Sequence, residues 1–398
     1  MQDNLKVEII NYSDEIDHAC LDALIHDSNV QHETKYLQIM SQNIASDFEG
    51  FFAIAKKDDA MVAWTYFFID RQFSCHGLLS GFAEKLYNIF PFQFRAAFIS
   101  SPVAEYNMFH IDAAYRGQED YLAEEMVEQI LLFLKKKHIK LVIVKDHISN
   151  YASTYFHKKF SHVHIMPGTY IELSKVSGCP HYCKKERKDD CTCFDAYLMG
   201  LKRNWRANVR NKMNRRKEDL FIEVVSGDSL SIAENQRCYD LYCQTRNKQK
   251  IKHELLTSNY FYQCGMELGD KCKMLIARVD GKIIGFAQLL ENEHDVINVR
   301  IGMDYECNRE YNLYYHLLYE NIIYCLQQKK RRLYTSQTYY RPKLEIGAKL
   351  LPLHTYFYFY NIIIRKIFKT FIIKECACYS ELLHSDDPKA VLMKHNLK

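Results

Sequence analysis

Four cysteines crowd one short polar segment of this chain. In GCPHYCKKERKDDCTCFD, Cys179, Cys183, Cys191 and Cys193 stand close together with His181 among them. Four soft ligands at such spacing can close a tetrahedral, structural zinc site; a polar segment of reduced thiols is the alternative. Just downstream, Lys202, Arg203, Arg206, Arg210, Lys212, Arg215, Arg216 and Lys217 fill a run in which Trp205, Val209 and Met213 recur at helical spacing. One face of that helix is buried. Arg203, Arg206 and Arg210 on its other faces can take phosphate, from a nucleotide-bearing cofactor or an RNA backbone, or lie as solvated stems over apolar surface. His147, His157, His162 and His164 come after the strand that ends near residue 146, without a His-Glu-x-x-His zinc signature, and no P-loop occurs. His162 and His164 alternate as partly exposed strand residues.

The elements that must position these groups occur twice. Residues 98–146 and 296–337 each read as strand, polar loop, amphipathic helix, basic turn and strand. Each follows a hairpin, 51–70 and 273–292, the second turning at Asp280-Gly281, where glycine supplies a positive φ. In the second copy Leu313, Leu317, Leu318, Ile322 and Leu326 fall near helical period over 309–328, and Arg331 to Ser336 is the next strand. Strand, helix, strand is a crossover, so the last pair is parallel.

This order resembles the GNAT acyltransferase superfamily. There the loop before the central helix reads Q/R-x-x-G-x-G/A and binds the pyrophosphate of acyl-coenzyme A through bare amides at a helix N-terminus. The first copy has Tyr115-Arg116-Gly117-Gln118-Glu119-Asp120-Tyr121. Its acids and bulky tyrosine describe a loop that no longer serves coenzyme A. The second copy has Arg309-Glu310-Tyr311-Asn312-Leu313-Tyr314, with Asn312, a residue that tolerates left-handed φ, at the first glycine position. Tandem units without glycine loops resemble a narrower group, the Fem-type peptidyltransferases and peptidoglycan biosynthesis or recognition proteins. The basic helix, NLYYHLLYENIIYCLQQKKRRLYTSQ and TYYRPKLEIGAKLLPLHTYFYFYN carry that resemblance, the last through Tyr340-x-x-Lys343.

The resemblance implies an α/β fold of two tandem GNAT-like domains, mixed central sheets flanked by helices. It places residues 1–175 in an N-terminal domain, 176–196 in a Cys-rich insertion and 197–398 in a C-terminal domain holding most of the site. It implies Arg300, Ile301, Gly302, Arg309 and Asn312 beside the donor. Tyr340 would be the acid and Lys343 the group that holds a carboxylate or phosphate. The donor is acyl-coenzyme A or, as in Fem-type enzymes, aminoacyl-tRNA, and the acceptor a small-molecule or peptide amine. A non-catalytic protein binding peptide or glycan on the same duplicated fold is the competing class.

Composition fits this reading. The 398 residues suit two domains, and a net charge of +4 with 48 % hydrophobic and 26 % charged residues describes a globular chain. The N-terminus has neither the apolar core nor the basic run of a signal peptide, and no unbroken apolar stretch spans a membrane, which implies a cytoplasmic protein. Residues 356–373 read as a closing strand followed by an amphipathic helix broken by Arg365, Lys366 and Lys369; peripheral membrane contact through that helix is the alternative to simple docking.

Overall fold

Asp280 and Gly281 take positive φ angles of 48° and 76°, the left-handed pair that a two-residue hairpin requires, and Asp58 and Asp59 do the same at 48° and 65°. These turns join β2 (Phe48–Lys57) to β3 (Ala60–Phe73) and β10 (Cys272–Val279) to β11 (Lys282–Glu291), with elements numbered along the chain. The computed structural model describes residues 5–12, 14, 16–25, 29–44, 47–74, 93–102, 106, 109–148, 153–174, 194–249, 255–395 and 397. Two compact units emerge: residues 1–166 with 250–256 and 352–386, and residues 167–249 with 257–351 and 387–398.

The first unit is a sheet in the order β1 (Leu5–Asn11), β2, β3, β4 (Phe94–Ile99), β6 (Leu141–His147), β15 (His354–Phe359) and β7 (Ser161–His164), with β5 (His110–Ile111) paired to β3. Among the described residues of this sheet only β4 and β6 pair in parallel. Helix α3 (Glu119–Lys136) makes that crossover and buries Leu122, Ala123, Met126, Val127, Ile130, Leu131 and Leu134. Each large side chain of that stripe contributes about 1.5–3 kcal/mol. Phe156 of α4 (Ser153–Lys159) joins the same core. The opposite face packs on α1 (His18–Asp22), α2 (Thr34–Asn43) and, through Ile372 and Cys376, α12 (Ile362–His384).

The second unit repeats the plan: β9 (Phe221–Ser226), β10, β11, β12 (Asp295–Met303), β13 (Arg332–Tyr334), β8 (Gly168–Glu172) and β14 (Lys349–Leu351). Again, among the described residues, only the fourth and fifth strands are parallel. Their crossover runs through α9 (Tyr305–Tyr311) and α10 (Leu313–Gln327), and α10 shares its core with α5 (Phe194–Met199) and α6 (Arg203–Met213) through Tyr197, Leu198 and Val209. Helices α7 (Ile232–Lys248) and α8 (Asn259–Leu268) cover the other face, and α11 (Tyr340–Glu345) and α13 (Pro388–Lys394) complete the unit.

The two sheets match position by position. In each, the sixth strand comes from the other half of the chain: β15 in the first unit, β8 in the second. A sharp sequence boundary near residue 175 therefore does not describe the chain path, since 167–174 build the second sheet and 354–359 the first. Residues 356–373 are a strand and then a helix, whose first turns leave Ile362, Ile363, Ile364 and Ile367 exposed. Among the described residues no helix is long and apolar enough to cross a membrane.

Candidate active site

In the second unit the parallel ladder between β12 and β13 holds for only three pairs, ending at Ile297 opposite Tyr334. Strand β12 runs six residues further, to Met303, while β13 stops. On its other edge β12 carries a bulge: Arg300 pairs with Gln288 and Asn298 with Leu289, leaving Val299 as the extra residue. A bulge bends its strand and increases the local twist. The two central strands thus part, and one edge of β12 opens over residues 299–303.

The opposite wall is the turn 335–339, held in an unusual backbone. Ser336, Thr338 and Tyr339 all have positive φ, 60°, 64° and 53°. Such conformations persist only where surroundings enforce them, and here they do. Lys343, 5 % exposed, donates from Nζ to the carbonyls of Ser336 at 3.1 Å and Gln337 at 3.2 Å. Thr169 Oγ1 donates to the Ser336 carbonyl at 2.5 Å, and Ser336 Oγ donates to the Asn298 carbonyl at 2.8 Å, tying the wall to β12. Tyr340 is 1 % exposed and donates its hydroxyl to the Pro167 carbonyl at 3.1 Å. Pro342 lies in the first turn of α11, where its missing N–H costs nothing.

Of the two neighbouring tyrosines here, Tyr339 is the exposed one, at 48 %, and its ring meets Tyr314 edge-on at 4.8 Å. Tyr314 and Tyr315 open α10, and burial raises the pKa of both, with Tyr339 adding to the shift. Beside them Lys212 of α6 stands 3.4 Å from the centre of the Tyr315 ring, and burial lowers its pKa. Glu345 gathers Arg341, Lys389 and Asn208 at 3.2–3.3 Å. The tyrosine rim was hidden in a chain with 29 tyrosines; position relative to the parted strands, not residue type, distinguishes it.

The stretch expected to be a phosphate loop is a break between two helices. Arg309 is exposed in the last turn of α9, and Asn312 takes the left-handed conformation at φ 47°, ψ 39° before α10 begins. The Tyr314 amide, in the first turn of α10, donates to Asn308 Oδ1 at 3.1 Å. Glu310 pairs with Lys217, which also lies 4.8 Å over the Tyr311 ring. In the first unit Gly117, at φ 91°, donates its amide to the Glu119 carboxylate at 2.5 Å. An internal carboxylate thus sits on the amide that a phosphate would need.

The remaining residues fall on three surfaces. Arg300 shares a sheet face with the buried Gln288, the face under α7 and α8, and its Nη1 donates to the Val299 carbonyl at 2.5 Å. Ile301 packs on the opposite core. Gly302 is required by packing: a Cβ there would lie 2.2 Å from Phe286 and 2.8 Å from the Tyr242 amide. Arg203 and Arg210 of α6 are exposed, Arg210 facing Asp195 at 3.3 Å, while Arg206 donates to the Met199 carbonyl at 3.3 Å. Buried His316 of α10 is held down to about 4 by desolvation and by Arg216, which pairs with Glu320 at 2.7 Å. Cys179, Cys183, Cys191 and Cys193 lie outside the described residues.

A parted fourth and fifth strand, a crossover helix beside them, and the same sheet built twice is the arrangement of a tandem GNAT protein. Residues 116–387, more than half of the chain, match the FemAB-like family, described as peptidoglycan biosynthesis/recognition. The chain belongs to this family. No curated protein sequence matches it. Among solved structures, FemX aligns over 91 % of this chain and 100 % of its own at 10 % identity with a TM-score of 0.55. L-PGS from Bacillus licheniformis aligns over 90 % of this chain and 97 % of its own at 9 % identity and a TM-score of 0.50. At these identities the two structures speak to the fold alone. A tandem GNAT protein from the clavulanic acid biosynthesis pathway, solved without AcCoA, is also similar, at 9 % identity, 88 % and 98 % coverage and a TM-score of 0.48. The family model places this chain among proteins of peptidoglycan biosynthesis or recognition.

Proposed function

We propose that this protein is an N-acyltransferase that moves an aminoacyl group from aminoacyl-tRNA to an amine of a peptidoglycan-precursor peptide, with the reacting groups in the second unit. The observation that carries the reading is the helix break at Asn312. The Tyr314 amide is already taken by Asn308, so a donor gripped by its pyrophosphate finds no bare helix end. Acyl-coenzyme A is the less suited donor for the same reason. The exposed arginines of α6, Arg203 and Arg210, with Arg206 beside them, supply sequence-independent phosphate contacts of the kind an RNA backbone takes.

In this reading the donor's carbonyl lies along the open edge of β12, between Arg300–Gly302 and the turn at Ser336. The neutral acceptor amine attacks the ester carbon, the C–N bond forms, and the ester C–O bond breaks. The leaving ribose oxygen gains a proton and the new amide nitrogen loses one. Tyr339 donates the proton to the ribose oxygen and takes up the one the amide nitrogen loses; Tyr340 and Lys343 position the turn that carries it. Arg309, exposed beside the break, meets a donor phosphate. Because the reaction draws on charged tRNA it takes place in the cytoplasm, and the exposed isoleucines of α12 would meet the membrane surface where the precursor is held.

The test is a thermal-shift comparison of aminoacyl-tRNA, uncharged tRNA, coenzyme A and acetyl-coenzyme A. A ligand that binds the native state raises Tm. Stabilisation by aminoacyl-tRNA and none by the coenzymes is expected; a shift with acetyl-coenzyme A alone would assign the other donor, and no shift with any would favour a binding protein.

A further inference from the structure

Within the first unit, strands β7 and β15 bring three imidazoles to one face of the sheet edge. His354 pairs in register with His164, and Tyr356 with His162, so His162, His164 and His354 project on the same side. One ring nitrogen from each lies within 4.8 Å of the others. His162 Nε2 and His354 Nδ1 are 2.9 Å apart, and their rings stack at 5.0 Å. His164 stands 4.8 Å from His354 and 4.9 Å from His162, ring centre to ring centre. We propose that His162, His164 and His354 bind one divalent transition metal ion of the zinc class, joining β7 to β15.

Three features of the geometry support this. First, tetrahedral ligands about 2.0–2.1 Å from a zinc ion stand about 3.3 Å apart, so the His162–His354 pair needs to open by only a few tenths of an ångström. Second, His164 Nδ1 lies 3.2 Å from the Leu353 carbonyl. Donation there fixes the tautomer and turns Nε2 outward as a lone pair, the arrangement in which metal-bound histidines are held. Third, more imidazole stands nearby: His157 of α4 lies 4.7 Å from His162, and His384 at the end of α12 lies 6.2 Å from His164, ring to ring. Either could enter the fourth position, as could water. Burial disfavours the charged form of all three central histidines.

The ligand type sets the ion. Neutral nitrogen donors suit zinc, copper, nickel and cobalt and do not suit magnesium or calcium, which take oxygen. Its consequence is structural: His162 and His354 are 192 residues apart in the chain, and β7 is the edge strand. A metal clip there fastens the strand that the C-terminal half contributes to the first sheet.

The test is a titration of the full chain, stripped of metal by chelator, with cobalt(II) chloride, whose visible spectrum separates nitrogen from thiolate ligation. One equivalent with a nitrogen-type spectrum is expected, with binding weakened at least tenfold in His354→Gln and His164→Gln. Zinc at about one hundred times its Kd should raise Tm of the wild type by about 5–10 °C. Equal titrations of wild type and both variants, or a purely thiolate spectrum from the cysteine segment, would overturn the proposal. If the variants do not fold, nitrogen-15 spectra of the wild-type imidazoles decide: zinc must move three histidines together, and no shift rejects the site.

Discussion

Lys343 Nζ lies 3.1 Å from the carbonyl oxygen of Ser336, seven residues before it, and this contact holds the turn that forms one wall of the parted strands. A buried ammonium whose protons go to backbone carbonyls is a fastener rather than a group free to meet substrate. Lys343→Met keeps the apolar stem and removes the donors. It should destabilise the second unit by about 2–3 kcal/mol, because two buried carbonyls lose charge-assisted bonds. Urea denaturation measures this, and an unchanged midpoint would show that the turn holds without it.

Tyr339 and Tyr340 should separate cleanly. Tyr340→Phe removes one neutral hydrogen bond to Pro167, worth about 1 kcal/mol, and should leave kcat within about twofold. Tyr339→Phe removes the exposed hydroxyl and should lower kcat about a hundredfold with little change in stability. Single-turnover rates of the two variants, set against their melting curves, check both halves.

The arginines of α6 offer a salt-dependent signature. If they meet RNA phosphates, each of Arg203→Ala, Arg206→Ala and Arg210→Ala should weaken tRNA binding for every tRNA sequence alike. Each should also flatten the plot of log affinity against log salt by about 0.7–0.9. Filter binding across a salt series reads this directly, and an unaltered slope would return the helix to a solvated surface.

His316 predicts a pH dependence. Its folded pKa, about 4, lies below the unfolded value of about 6.5. Above pH 6.5 neither state binds the proton and the site costs nothing. As pH falls below 6.5 the unfolded chain takes up the proton first, so stability is lost by about 1.4 kcal/mol per pH unit down to about pH 4. His316→Gln should flatten the stability profile of the second unit across that window, as followed by denaturation at several pH values.

Much of this architecture was legible in the residues. Asp280-Gly281 announced its hairpin, the periodic leucines of 313–326 their crossover helix, and Asn312 its left-handed turn. Local signals suffice where the structure is local. What escaped was non-local: β8 and β15 each pair with strands far along the chain, and no short window records that exchange. His162 and His164 read as ordinary strand residues because their partner, His354, is 192 residues from the first of them. Likewise Tyr340 matched a motif, yet it is 1 % exposed and its neighbour Tyr339, at φ 53°, is the exposed ring.

Aminoacyl transfer to an amine is measured by a direct assay. Purified protein is mixed with labelled aminoacyl-tRNA, or separately with labelled acetyl-coenzyme A, and a lysine-containing peptidoglycan-precursor peptide, and the peptide is analysed for a new amide. Aminoacyl transfer from the tRNA is expected, falling about a hundredfold in Tyr339→Phe. Label entering the peptide only from acetyl-coenzyme A, or from neither carrier, would contradict it.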